Sequence, residues 1–582
     1  MRKASLSQIR DAVLKAVQRA DFSVDEADLH LERAKTLEHG HFATNIALFL
    51  AGKLGKRPQE VAQTIAGELE KEEMITKAEV AGPGFVNVWV EQNFYSTILK
   101  EIAGDLPGYL KGEIRNQKSE IRNPTMVIDY SHPNIAKPMG VHHLLSTIIG
   151  DSIKKIYKHR GWKVTADNFI GDMGTQFGKL IHAIKEWGDL SEIEKDPIPA
   201  LQKLYVQYHI EADKDVDLDD EARAEYKKFE EGDRENRELW EKIVKWSLME
   251  IQPIYDRLDI TFDHMNGESF YEDKMQAILE DGRKSGVIVD GEKGAWIIKP
   301  DDPEDVPAVV RKSDGATLYI TRDLARIKYW ETEWHPTLMV NVVDAAQKFH
   351  FRKLFEAAYK LNLTTAKQVH VDFGRMRFKD SSMSTRKGNI VMLNEVLDEA
   401  EKRSLALVNE KGAELSGDEK KELSRIMGIG AVRYSILHQN RISDMTFDWD
   451  QMLSLDGNSA PYLMYTVARA KSIVRKADLD SLDSSDFKNF NLILSEDAET
   501  KVVLDLLQYP EALERATEEF RPNHIANFLY QLAQDFNTLY NALPVLKAED
   551  SLKKSRLLIT AAVIRLMEDA FGLLGLEVPE KM

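Results

Sequence analysis

Lys137, His142 and His143 stand within one short run, Pro133-Asn-Ile-Ala-Lys-Pro-Met-Gly-Val-His-His143. An ammonium and two imidazoles gathered at a chain bend can offset charge on phosphoryl oxygens. Taken alone, a histidine pair at a helix start also fits a solvated or capping role. The flanking elements decide what such a bend could serve. Thr125 to Ser131 is mostly β-branched or apolar and reads as a strand, and Pro133 and Pro138 then break the chain. From Val141 the apolar residues recur at helical spacing as Leu144, Leu145, Ile148, Ile149, Ile153 and Ile156, Gly161 closes the helix, and Trp162 to Ile170 supplies a second strand. Strand, loop, helix and strand in this order make a right-handed crossover. Its loop lies at the carboxyl edge of a parallel sheet, where helix N–H groups face any anion placed there.

A second cationic loop, Ser382-Met-Ser-Thr-Arg-Lys-Gly-Asn389, follows the strand-like Val369-His-Val-Asp-Phe-Gly374. Standing alone, it is a basic surface turn in which Gly388 supplies a positive φ.

These pieces sit in a chain of 582 residues, too long for one core, with 43% hydrophobic residues to bury several. No basic stretch followed by an apolar one opens the chain, and no apolar run approaches the roughly 20 residues that span a bilayer. A cytoplasmic protein without membrane contact is expected. With no cysteine there is no disulfide, thiolate nucleophile or Cys-ligated zinc, and no structural metal is expected. The net charge of −18 opposes nucleic-acid binding if averaged over the surface, so an RNA-binding chain of this kind must concentrate its basic residues locally.

Residues 1–112 read as an α+β unit, with an amphipathic opening helix (Ile9, Val13, Leu14, Val17), a Gly/His turn at 38–45 and the strand-like Gly84 to Val90. The polar, aperiodic 113–124 reads as a linker. Residues 125–397 form the sheet domain, with a charged helical insertion at about 185–250, and 398–582 a helical bundle punctuated by Pro461, Pro510, Pro522 and Pro544.

The string Ser131-His-Pro-Asn-Ile-Ala-Lys-Pro138, the element ending in His143 and Leu144-Leu-Ser-Thr-Ile-Ile-Gly-Asp151 together resemble the signature of class I arginyl-tRNA synthetases. So do Gly171-Asp-Met-Gly-Thr-Gln-Phe-Gly178 and the Met383-Ser-Thr-Arg-Lys-Gly388 loop. His39 to Asn45 and Val80 to Phe85 resemble the family's N-terminal domain. Ala460 to Ala470, Leu529 to Asn537 and Leu573 to Met582 resemble its Asp-Ala-Leu-Arg-type anticodon-binding domain.

The resemblance implies a multidomain α/β protein: a Rossmann-type parallel-sheet catalytic core, an N-terminal α+β domain that grips the tRNA elbow, and a C-terminal all-α anticodon-binding bundle. It implies a ligase that activates arginine on ATP and passes it to the 3′ end of tRNA-Arg, with Mg2+ carried by ATP and a monomer as the working form. Lys137, His143, Arg386 and Lys387 match catalytic positions, with Lys137 taking over the phosphate contact that Ser382 and Thr385 cannot make. Gly140, His142, His143, Met383 and Ser384 match ATP-binding positions. Tyr319 and Asp323 match those holding the arginine side chain, Asn134 and Asp129 those near its α-amino end, and Gln347 another pocket position. Tyr462, Tyr465 and Arg469 offer surfaces for unstacked tRNA bases, although tyrosines there would also serve as bundle core.

Leu145 replaces the family's usual arginine and Met173 its usual tryptophan, and within the first motif two more residues depart from the pattern. Gly140 stands where a histidine is usual, and His142 where a glycine lets adenine approach the backbone. This leaves open a catalytically impaired paralogue that binds tRNA without charging it. A nucleotidyltransferase of the same sheet class is a third reading, against which the helical C-terminal third stands.

Overall fold

The computed structural model describes residues 6–25, 28–114, 123–215, 217–379, 391–411, 415–477 and 490–582. The N-terminal part is an antiparallel sheet in the order Leu31–Arg33, Phe42–Thr44, Phe85–Val90, Ile75–Ala81. The helix Leu6–Arg19 buries Ile9, Ala12, Val13, Ala16 and Val17, the one-face spacing that an amphipathic helix turns toward its core. The helix Gln92–Ile114 then packs against the helix Asp550–Leu574 at the far end of the chain. It runs across the expected boundary at 112/113, and residues 115–122 of the expected linker lie outside the described residues.

The central sheet is parallel, in the order Lys367–Phe373, Leu338–Asp344, Thr125–Asp129, Lys163–Asp167. From Thr125–Asp129 the chain crosses through the helix His142–His159 to Lys163–Asp167 on one side. From Leu338–Asp344 it crosses through the helix Lys348–Lys360 to Lys367–Phe373 on the other. The two middle strands therefore send their connections in opposite directions. The crevice beyond their carboxyl ends is the topological switch point at which such sheets bind ligands.

Both strands flanking the first crossover are shorter than the composition suggests. The first ends at Asp129 because Ser131 and His132 adopt φ of 85° and 53°, which no strand accommodates. The second ends at Asp167, and Ile170 keeps an isolated bridge to Gly267. The helix His142–His159 is buried over most of its circumference, since the sheet covers one face and the C-terminal helices the other.

Helices Pro197–Ala212, Leu218–Glu230 and Arg234–Arg257 form a layer against Thr175–Trp187. A three-stranded antiparallel sheet, Ile288–Asp290, Trp296–Ile298 and Ala308–Arg311, precedes the helix Tyr319–Trp334; nothing in the residue pattern singled it out. The helix Leu393–Lys411 runs unbroken through the expected boundary at 397/398, so the change in composition there marks no break in the chain. The C-terminal part is not wholly helical either: Met445–Phe447 pairs in parallel with Met376–Phe378. Pro461 and Pro510 occupy first turns of helices and Pro522 a helix N-cap, places where a missing N–H costs nothing.

Candidate functional site

The loop after Thr125–Asp129 is held in an unusual shape. Ser131, His132 and Ala136 all lie in the left-handed region, with φ of 85°, 53° and 64°. Such residues each cost about 1–3 kcal/mol and persist where the surroundings over-determine them. Here the surroundings are specific. Ser131 N–H donates to Ser146 Oγ at 2.9 Å, His132 N–H to Asn168 Oδ1 at 3.1 Å and Ala136 N–H to Ser247 Oγ at 2.8 Å. Ile135 N–H reaches Gly171 O at 3.1 Å, and Gly171 N–H returns to Pro133 O at 3.0 Å. A Cβ on Gly171 would come within 2.7 Å of Asn134 Oδ1, so a side chain there would have to turn the Asn134 amide aside. Asn134 and Lys137 are left exposed on the loop, with the Lys137 ammonium 5.3 Å from the ring centre of Tyr205.

Where the loop enters the helix, Val141 is the N-cap and has no side chain able to accept from the first amides. His143 is buried, with Nδ1 3.2 Å from Gly140 O. Against a carbonyl oxygen Nδ1 must be the donor, which leaves Nε2 as a lone pair. Burial, and then His142 beside it, push the ring's pKa down to about 3. His143 is therefore neutral near pH 7, and the positive charge at this position suggested by its type is not there. His142 stays exposed and leans on His143, ring centres 3.9 Å apart.

Met383, Ser384, Arg386 and Lys387, with Ser382 and Thr385, fall outside the described residues. The chain on either side is placed. Met376–Phe378 leads in, and on return Val141 N–H donates to Val391 O at 3.0 Å, Gly140 bridges Met392 and Leu393 N–H donates to Met139 O at 2.8 Å. From Val391 the chain thus runs directly against the first motif.

Across the crevice, Tyr319 opens the helix Tyr319–Trp334 and is 70% exposed, while Asp323 lies one turn on and is nearly buried. Asp323 receives His350 Nε2 at 2.7 Å on Oδ2 and lies 3.2 Å from Arg326 Nη2 through Oδ1. Arg326 also binds the Asp129 carboxylate and donates to Asn341 Oδ1 at 3.0 Å, and its guanidinium lies between Phe169 and Trp330. Asp129 is fully buried. Its Oδ1 takes His132 Nε2 at 2.8 Å, and although burial opposes ionisation, Arg326 and His132 outweigh it and hold the carboxyl below its usual range. Asp129, which the resemblance matches to a position near the substrate's α-amino end, is thus shielded from solvent with its carboxylate paired to Arg326 and His132. Gln347, exposed at the N-cap of the helix Lys348–Lys360, lies one turn before His350.

Glu268 joins this group without having been singled out in the sequence. It is nearly buried, 3.4 Å from Arg322, and burial, reinforced by Asp172 and Asp323, pushes its carboxyl up to about 7 against the pull of Arg322. The Asn266-Gly267 turn before it gave no chemical signal. Asp172, its own carboxyl raised by burial, accepts from Ser269 N–H at 2.9 Å and Oγ–H at 2.6 Å. Carboxylates gathered in this number suit a guanidinium, whose planar donors pair with them in forks.

Tyr462, Tyr465 and Arg469 lie apart from the crevice, on the helix Ala460–Lys476. Tyr462 is half-buried against Tyr530, whereas Tyr465 is 40% exposed, so for Tyr465 the core reading fails. The Arg469 guanidinium sits 4.6 Å from the ring centres of both Tyr465 and Tyr540 and donates to Asn537 Oδ1 at 2.9 Å. Lys411, Lys476 and Lys581 line the same groove, a local concentration of positive charge on an acidic chain. Among the described residues no cluster of His, Asp and Glu could hold a metal ion, and no helix is long and apolar enough to cross a membrane.

The family described as "tRNA synthetases class I (R), catalytic domain" matches residues 106–449, "DALR anticodon binding domain" matches residues 463–582 and "Arginyl tRNA synthetase N terminal domain" matches residues 7–90. An arginine–tRNA ligase of Fusobacterium nucleatum subsp. nucleatum is 38% identical over 544 residues, covering 93% of each chain. One from an Exiguobacterium species is 38% identical over 563 residues, covering 97% of each. The solved arginyl-tRNA synthetase of Plasmodium falciparum superposes with a TM-score of 0.83 at 25% identity and covers 99% of each chain.

Proposed function

The chain belongs to the arginyl-tRNA synthetase family and its activity is the ligation of arginine to tRNA with consumption of ATP, and from that premise we propose how its own side chains divide the work. An arginine carboxylate oxygen attacks the α-phosphorus of ATP, the bond to the bridging oxygen breaks, and pyrophosphate leaves with Mg2+. The 2′-hydroxyl of the terminal adenosine of tRNA-Arg then attacks the activated carbonyl and AMP departs.

In our reading ATP lies over the loop 131–140 and the start of the helix His142–His159. Lys137 meets the phosphates together with Arg386 and Lys387, and Gly140, His142, Met383 and Ser384 border the nucleotide. Neutral His143 accepts a hydrogen bond through Nε2 and brings no charge. Asp323 and Tyr319 take the guanidinium of arginine, Glu268 adds a second carboxylate, and Gln347 closes that end. Asn134 receives the α-amino end, with Asp129 acting behind it through Arg326 and His132. Tyr465 and Arg469 receive unstacked anticodon bases, with Tyr462 supporting them. We take the working protein to be a cytoplasmic monomer.

The observation that carries this reading is the closeness of Glu268 to Asp323 and Asp172, next to the Gly171 that pairs with Asn134 of the loop 131–140. Aminoacylation with radiolabelled arginine, with and without tRNA-Arg and with lysine as competitor, tests it. Arginine should be attached in the presence of tRNA-Arg and lysine rejected, because a site built for a planar fork leaves bonds unmade around an ammonium. Equal charging with both amino acids would refute the pocket.

A further inference from the structure

Asp323 sits between two donors that compete for its shape. On one side lies Arg326, whose guanidinium is chemically the same group as the side chain of the substrate. It is 3.2 Å from Asp323 Oδ1, is fixed between Phe169 and Trp330, and has a buried Nε with no acceptor among the described residues. On the other side His350 Nε2 reaches Asp323 Oδ2 at 2.7 Å. An ionised carboxylate only accepts, so Nε2 carries the hydrogen. A carboxylate has about four lone-pair sites, two on each oxygen. The hydrogen bond from His350 on Oδ2 and the ion-pair contact of Arg326 with Oδ1 leave at least one site on each oxygen, which is what a bidentate guanidinium requires.

We propose that His350 is a positioning residue for arginine selection: by holding Oδ2 it prevents Asp323 from turning into a closed fork with the resident Arg326, and so keeps the carboxylate's free edge for the substrate guanidinium. Without His350, Asp323 has its strongest remaining partner in Arg326, and a carboxylate that can rotate will present both oxygens to it. The internal guanidinium would then displace the incoming one. His350 itself touches no reacting atom. It stands in the first turn of the helix Lys348–Lys360, one short turn after the central strand Leu338–Asp344, so its position is set by regular structure on both sides.

The proposal rests on the reading that Asp323 holds the arginine side chain, and the experiment separates the two. Steady-state aminoacylation of tRNA-Arg by the full-length chain is compared for wild type, His350→Ala, His350→Gln and Asp323→Asn, with KM measured separately for arginine and ATP. His350→Ala should raise the KM for arginine about tenfold and narrow the preference for arginine over lysine, leaving the KM for ATP within twofold. His350→Gln, which retains a donor, should recover most of the loss. If Asp323→Asn raises the arginine KM but His350→Ala does not, the positioning role falls and the pocket reading stands. If Asp323→Asn leaves arginine use unchanged, both fall. A rise in both KM values for His350→Ala, or no recovery with glutamine, would show a merely structural histidine and overturn the proposal.

Discussion

Arg433 in the C-terminal bundle and Asp151 in the helix that starts at the nucleotide loop form an ion pair at 2.6 Å, with both side chains fully buried. The same guanidinium donates to Leu574 O at 3.1 Å and Leu258 O at 2.6 Å, so one side chain ties three segments together. Further along that helix Ser152 Oγ donates to Leu573 O at 2.9 Å and Tyr157 OH to Thr517 O at 3.0 Å. The bundle is thereby fastened to the back of the helix His142–His159.

Removing one partner of a buried pair leaves an uncompensated charge, which typically costs 3–5 kcal/mol. Lys154 and Lys155, each 2.9 Å from Asp151, temper this. Arg433→Met should lower the unfolding free energy by about 3 kcal/mol in urea titrations, and a loss under about 1 kcal/mol would refute the pair's role. Burial opposes ionisation of Asp151, but Arg433, Lys155 and Lys154 together hold its carboxyl far below the usual range. Its contribution is thus complete above about pH 4 and is lost only as pH falls through the depressed value.

Glu268 carries the opposite sign. Its carboxyl is raised to about 7 from an ordinary 4.5, so the unfolded chain ionises first and stability contributed by this group declines as pH rises between those values. Ionised above pH 7, it adds a second negative charge beside Asp323. The KM for arginine should therefore fall as pH rises through about 7, and Glu268→Gln should flatten that limb of the profile while making the protein more stable at pH 8. An unchanged profile in the variant would remove Glu268 from the pocket.

Lys137 is an exposed cation of the loop 131–140, and His143 just beyond that loop is neutral. Lys137→Ala should slow adenylate formation by about 10²-fold in single-turnover experiments, the scale on which lost charge stabilisation of a transferring phosphoryl group is felt. Ordinary turnover in that variant would exclude it from the chemistry.

Tyr465 and Arg469 present a stacked, charged surface to solvent. Tyr465→Ala should raise the KM for tRNA-Arg about tenfold, as expected for one lost base–aromatic stack, with the KM for arginine and ATP unmoved. Equal effects on all three substrates would mean that the bundle had been disturbed and not an RNA contact.

The amino-acid sequence by itself determined whatever is written in neighbouring residues. The 3.6-residue spacing from Leu144 to Ile156 dictated a buried helix, and Pro133, Pro138 and the β-branched run before them dictated a strand ending in a loop, because these signals arise from side chains a few positions apart. Tyr319 and Asp323 could be put forward as pocket candidates by resemblance, since their motif is contiguous. What surrounds Asp323 could not. His350 and Glu268 come from separate stretches of the chain, and Arg326 meets Asp129 across 197 positions. Those meetings depend on the strand order, which places Leu338–Asp344 beside Thr125–Asp129, and no local periodicity encodes which strand neighbours which. For the same reason Asp129, matched by resemblance to a position near the substrate's α-amino end, could not be known from its motif to be fully buried. Its residue type was legible, but its burial and its guanidinium partner were decided when distant segments packed.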